Sequence, residues 1–161
     1  MTIGFILNGE DVVVKTEADR RLLDILRNNF KLSGAKLGCL GGKCGACSVI
    51  LNGEVVPSCI IPAFSIRGSE VITIEGFAQT EEYRDILTGF SHAGVKNCGF
   101  CDTGKIFAAE TLLVKVSRPS REEILAGFEG ISCRCTDPDS LADGVLAAAD
   151  IRQRRLYGRA P

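Results

Sequence analysis

Eight cysteines in two groups of four constrain this chain more than any other feature: positions 39, 44, 47 and 59, then 98, 101, 133 and 135. The first group is spaced C-x4-C-x2-C with Cys59 further on; the second is C-x2-C and C-x-C, 31 residues apart. The stretch from Gly38 to Cys47 holds three of these cysteines and four glycines. It makes a poor helix and a poor strand, because glycine loses the most backbone entropy on ordering and adds no side chain to pack. Thiolates converging on one inorganic centre would compensate, and the glycines would let backbone N–H groups approach that centre closely.

Other uses of the cysteines are less attractive. At 161 residues the chain is long enough to bury a core without disulfides. The N-terminus enters a strand-like pattern at once, with no basic and apolar leader, and no apolar run is of spanning length. The expectation is a soluble cytoplasmic protein without a membrane partner, in a compartment that keeps thiols reduced and favours metal or redox chemistry. With 19 basic residues against 20 acidic ones and no basic run, nucleic acid is not an expected partner. Two tetrathiolate sites use every cysteine.

Hydrophobic patterning places these sites. Residues 3–7 and 12–14 read as two strands joined by the hairpin signal Asn8-Gly9. Asp19 is placed to cap a helix over 20–30, whose apolar face is Leu22, Leu23, Ile25, Leu26 and Phe30. The cysteine loop follows, then strands over 47–51 and 55–56 about the turn Asn52-Gly53, and a last strand over 71–74. This order resembles the β-grasp of plant-type ferredoxins. Beyond residue 77 the pattern turns helical, over 81–90, 102–116, 120–128 and 138–157. The predicted fold is α+β: a ferredoxin-like β-grasp domain, 1–77, followed by a four-helix bundle domain, 78–161.

In the second half each cysteine pair lies just ahead of a helix, where the positive end of the macrodipole favours thiolate and an anionic centre. Asp102 is a candidate N-cap for one helix, and Asp137-Pro138 reads as N-cap and N1 of the other. Taken alone, C-x2-C with a distant C-x-C suits structural zinc as well as iron and sulfur. The first quartet is more specific, since its spacing is the plant-type iron-sulfur one. Arg134, between two cysteines, reads equally as a partial offset to centre charge or as a solvated side chain. His92, the single histidine, falls at a predicted helix end with no nucleophile in any motif beside it. The glycine-rich stretch is neither a P-loop nor a Rossmann fingerprint. Site chemistry is therefore limited to moving electrons.

The runs Lys36 to Val49, Cys98-Gly99-Phe100-Cys101 and Cys133-Arg134-Cys135-Thr136 resemble the small iron-sulfur subunit of the molybdenum hydroxylases, the xanthine dehydrogenase family, over essentially the whole chain. The resemblance implies two [2Fe-2S] clusters, one on Cys39, Cys44, Cys47 and Cys59 and one on Cys98, Cys101, Cys133 and Cys135, with Gly38, Gly42, Gly45, Gly99 and Arg134 around them. It implies electron relay from a large molybdopterin-binding subunit to an FAD-binding subunit or another acceptor, with the second cluster nearest the molybdenum cofactor and the first nearest the flavin. Family members act on purines, other N-heterocycles, aldehydes, carbon monoxide or aromatic thioesters, a choice this subunit does not make. A free-standing two-cluster ferredoxin and a zinc-stabilised interaction module are the competing readings.

Departures from the family pattern gather on the second quartet. Asn97 stands for Gln, Asp102-Thr103 for Thr-Pro, Lys105 for an apolar residue and Asp137-Pro138 for Gly-Tyr, whereas the first quartet has only Ser48 for Thr. The family Gln hydrogen-bonds the pterin; Asn97 is a methylene shorter and reaches it only with a backbone shift or a bridging water. Ile60, Ile61, Pro62, Phe64 and Ile66 are read as core or domain junction before partner surface. The basic tail from Arg152 to Arg159 is read as a solvated helix end or a docking arm.

Overall fold

The structure is a computed structural model and describes residues 1–158. Strands β1 (Thr2–Leu7) and β2 (Glu10–Lys15) form an antiparallel hairpin. Asn8 and Gly9 both take positive φ, as a two-residue turn matched to strand twist requires. β3 (Ser48–Leu51) and β4 (Glu54–Pro57) repeat the device over Asn52 and Gly53. β5 (Glu70–Ile72) lies between the hairpins, parallel to β1 and antiparallel to β3, giving the sheet order β2-β1-β5-β3-β4. Strand alternation turns Ile3, Phe5, Leu7, Val14, Val49 and Val71 inward, where helix α1 (Leu22–Asn28) covers them with Leu22, Ile25 and Leu26.

Two local expectations are corrected here. The helix predicted over 20–30 begins only at Leu22, with Arg21 rather than Asp19 at its N-cap and no side-chain cap. The preceding backbone is occupied elsewhere: the Ala18 and Arg20 carbonyls accept from the Phe64 and Ala63 N–H groups, and the Leu22 N–H donates to Ile61. The last strand stops at Ile72 because the Asn8 side-chain oxygen takes the Thr73 N–H at 2.8 Å, and a short helix α2 (Ile74–Phe77) starts there. The apolar run after Cys59 divides: Ile66 is core, whereas Ile60 and Phe64 are exposed.

Four further helices follow: α3 (Glu81–His92), α4 (Asp102–Lys115), α5 (Arg121–Gly127) and α6 (Pro138–Tyr157). Thr80 caps α3, Ser120 and Glu123 form a capping box on α5, and Asp137 caps α6 through the Ser140 N–H with Pro138 at N1. Phe90, Phe107, Ile86, Ala142, Val145 and Ala148 form the centre of this half. Ile50, Val55 and Ile72 of the sheet pack against the same core, so the two halves share an apolar seam. From Arg154 to Tyr157 the basic tail is an exposed helix end, but at its root it is anchored. Arg152 is buried against Glu110 and Asp85, and Arg155 also grips Asp85, fastening α6 to α3 and α4. Arg159 lies outside the described residues. No described helix is long and apolar enough to cross a membrane.

Candidate metal centres

The first centre is built by a loop folding back over the end of a hairpin. The Lys36 N–H donates to the Ala46 carbonyl at 2.9 Å and closes the base of the 38–47 loop. Ser58 donates its N–H and its hydroxyl to the Cys47 carbonyl, at 3.1 and 2.7 Å, which seats the following Cys59 beside Cys47. Those two thiols are buried with Leu23 and Ala35. Cys39 stands beside Cys44 at the exposed rim, and Gly42 lays this rim against Ile60 and Pro57.

Backbone donors in the loop point at sulfur. Cys39 Sγ accepts from the Gly41 and Lys43 N–H groups at 3.4 and 3.2 Å, and Cys44 Sγ accepts from the Cys39 N–H at 3.4 Å. The Gly41 and Lys43 donors bring the Cys39 thiol down to about 6. Burial pushes Cys47 up to about 11. Gly38 is required by contact, since a Cβ there would stand 2.6 Å from Cys44 Sγ. Gly45 is required by conformation and by space, with φ +76° and Ile131 against the position a Cβ would take.

The second centre lies where two loops enter α4 and α6. Cys98 stands beside Cys135, and Cys101 beside Cys133. The Thr136 hydroxyl donates to the Lys96 carbonyl at 2.9 Å and ties one loop to the other. The Phe100 N–H, helped by Cys135, lowers the Cys98 thiol, while burial pushes Cys101 up to about 12. Asp102 is not the N-cap expected of it: Cys101 holds that position, and the carboxylate reaches back to accept the Gly99 N–H at 2.7 Å. It lies within 4.8 Å of the Cys98 and Cys101 sulfurs. Gly99 takes φ +88° between them, and Arg134 and Asn97 are exposed.

Lys105 was legible only as an odd residue; the structure buries it completely. Its Nζ contacts the Lys96 carbonyl, Asn97 Oδ1, Thr136 Oγ1 and Asp102 Oδ1 at 2.6, 3.2, 3.5 and 3.3 Å. One signal in the sequence points to this burial: Lys105 shares a helical face with Ala109 and Leu113, both core residues.

The two centres touch. The Ser132 N–H, next to Cys133, donates to the Cys44 carbonyl at 3.1 Å. The Phe100 ring, between Cys98 and Cys101, reaches within 3.7 Å of the place a Gly38 Cβ would take. α4 presses on the first loop at Gly104, where a Cβ would meet the Gly45 carbonyl at 2.6 Å, and the Thr103 hydroxyl donates to the Gly34 carbonyl at 2.8 Å. Cysteine spacing carried no trace of this junction.

The donor sets fit [2Fe-2S] clusters. All eight cysteines carry free thiols, they stand in the pairs Cys39 with Cys44, Cys47 with Cys59, Cys98 with Cys135 and Cys101 with Cys133, and N–H groups aimed at sulfur suit an anionic sulfide centre. Cys47 and Cys101 are buried where a bare thiolate is costly, a penalty that coordination to a cation offsets.

This pair of folded units defines a two-domain iron-sulfur protein. Residues 5–71 match the family model of the 2Fe-2S iron-sulfur cluster binding domain, and residues 73–146 that of the [2Fe-2S] binding domain. The nicotinate dehydrogenase small FeS subunit of Eubacterium barkeri is 43% identical over 136 residues, covering 84% of this chain and 87% of that one. The aldehyde oxidoreductase of Megalodesulfovibrio gigas is 38% identical over 148 residues, which are 90% of this chain but 16% of that longer one. Among solved structures, quinoline 2-oxidoreductase from Pseudomonas putida 86 superposes with a TM-score of 0.88 at 31% identity, covering 99% of this chain and 98% of the matched one. The chain belongs to the family of small iron-sulfur subunits of the molybdenum hydroxylases, the xanthine dehydrogenase family.

Proposed function

We propose that this chain relays electrons singly between a large molybdopterin-binding subunit and an FAD-binding subunit or another acceptor, in the cytoplasm. The observation that carries the reading is the contact between the loops that carry the two quartets, through the Ser132 to Cys44 hydrogen bond and the Phe100 ring on Gly38. A zinc-stabilised interaction module has no need to bring its two sites together, whereas an electron relay does.

Cys39, Cys44, Cys47 and Cys59 hold the first cluster, and Cys98, Cys101, Cys133 and Cys135 the second. When bound, such a cluster stores and releases one electron without making or breaking a covalent bond. The chain's own residues supply the rest. Backbone N–H groups of Gly41 and Lys43 favour negative charge at Cys39, Leu23 and Ala35 keep water from Cys47 and Cys59, and residues 1–77 and 78–161 act as the two cluster-bearing domains. Leu40 and Ile60 by the first quartet and Phe100 by the second are exposed apolar groups at places partner subunits would cover. Asn97 stays the candidate pterin contact: its side-chain oxygen is engaged by Lys105, so its amide N–H2 is the part it offers.

The test is spin resonance on the chain purified with its partners. Two distinct signals should develop on reduction, with Cys44→Ser removing one and Cys133→Ser the other. A colourless, zinc-loaded chain, or one that stays alone and reduces unrelated acceptors while no molybdenum travels with it, defeats the reading.

A further inference from the structure

Lys105 is a fully buried ammonium that ligation does not use. All four groups at its Nζ are acceptors, and the Thr136 hydroxyl, having donated its own hydrogen to Lys96, keeps its lone pairs free for the lysine. The site is therefore built for a cation. Its place is specific: Lys96 and Asn97 precede Cys98, Asp102 follows Cys101, and Thr136 follows Cys135. The charge sits where the loops carrying the second quartet meet. Packing alone gives no reason for it, because Leu or Met fills such a space without desolvating a charge.

Asp102 is the negative end of the same device. One carboxylate oxygen accepts the Gly99 N–H, the other faces Lys105 at 3.3 Å, and the carboxylate lies within 4.8 Å of the Cys98 and Cys101 sulfurs. The pair is a dipole held rigidly by α4 and its preceding turn.

We propose that Lys105 and Asp102 set the reduction potential of the second cluster by opposing fields, the buried ammonium raising it and the adjacent carboxylate lowering it. The proposal rests on the assignment of Cys98, Cys101, Cys133 and Cys135 as ligands. An electron added there places one more negative charge among the loops and leaves again toward the Cys44 side. No proton or bond at Lys105 changes, so the ammonium acts as a positioned charge. The field also has a route to the surface, because exposed Asn97 is tied to the ammonium through its oxygen.

The experiment is a redox titration followed by spin resonance on the full chain in complex with its partners, with Cys133→Ser identifying the second cluster's signal. Lys105→Met should shift the reduced population at least tenfold away from the second cluster, about 59 mV for a one-electron couple. Asp102→Asn should shift it the other way, while the first cluster's potential stays in place. Unchanged potentials, or a shift of the same sign in both variants, overturn the proposal. If Lys105→Met fails to load its cluster, Asp102→Asn decides alone: a rise supports the proposal, and no change or a fall overturns it. A wild-type chain lacking a second signal overturns the ligand assignment instead, which keeps the two failures distinct.

Discussion

Replacing Gly38 by Ala should empty the first centre and spare the second. A Cβ at Gly38 would stand 2.6 Å from Cys44 Sγ, whereas ordinary contact begins at 3.4 Å, so the sulfur must retreat by about 0.8 Å (3.4 less 2.6). Metal–ligand distances tolerate only about 0.2 Å. The displacement is thus roughly four times what coordination absorbs. Ala46 Cβ, at 3.5 Å from the same point, closes off one side of that retreat. Gly38 does not have positive φ, so backbone strain contributes nothing and the effect is purely one of space. Gly41→Ala is the matched control in the same loop, because a Cβ there meets only the Cys39 carbonyl, at 3.9 Å, and alanine keeps the N–H that Cys39 Sγ accepts. Iron per chain should fall by half in Gly38→Ala with the first cluster's spin-resonance signal lost, and stay at the wild-type level in Gly41→Ala. Full iron and both signals in Gly38→Ala would refute the claim that the glycine is there to let Cys44 reach the metal.

Arg152→Met should destabilise the protein by about 3 kcal/mol, the low end for breaking a buried ion pair. Glu110 loses its 2.6 Å partner, while Asp85 keeps Arg155; urea unfolding showing a loss under about 1 kcal/mol would refute the account. Acid should loosen the start of α5. The Ser120 N–H holds the Glu123 carboxyl below the usual range, so its contribution is complete above the unfolded-state value and disappears as pH falls through the lower folded value. Amide exchange at Ser120 should quicken over that acid range in the wild type and be pH-independent there, beyond the intrinsic chemistry, in Glu123→Gln.

Much of the helical half was legible because its punctuation is local. Asp137-Pro138 marked the start of α6, through a side chain bonding backbone three residues away. The hairpins followed from Asn8-Gly9 and Asn52-Gly53 in the same way. Legibility failed where a distant segment competed for the same groups. Asp19 looked like a cap, but residues 18–22 spend their backbone on residues 61–64, and no propensity in the window 19–30 registers that. Asp102 failed for a closer reason, since the turn through Gly99 offers its carboxylate a nearer donor than the helix does.

Cysteine spacing by itself pointed to two groups of four thiols, because the short separations within C-x4-C-x2-C, C-x2-C and C-x-C hold those thiols within reach of one another. Pattern and turn chemistry likewise determined a β-grasp followed by helices. Only the tertiary structure decided how the sites relate and what surrounds them: the Ser132 to Cys44 bond, Phe100 on Gly38, and the burial of Lys105 among acceptors from three separate segments. A local rule sees a lysine and assigns it to solvent. Whether its charge is solvated or aimed at a metal centre depends on residues up to 31 positions away, brought together by packing.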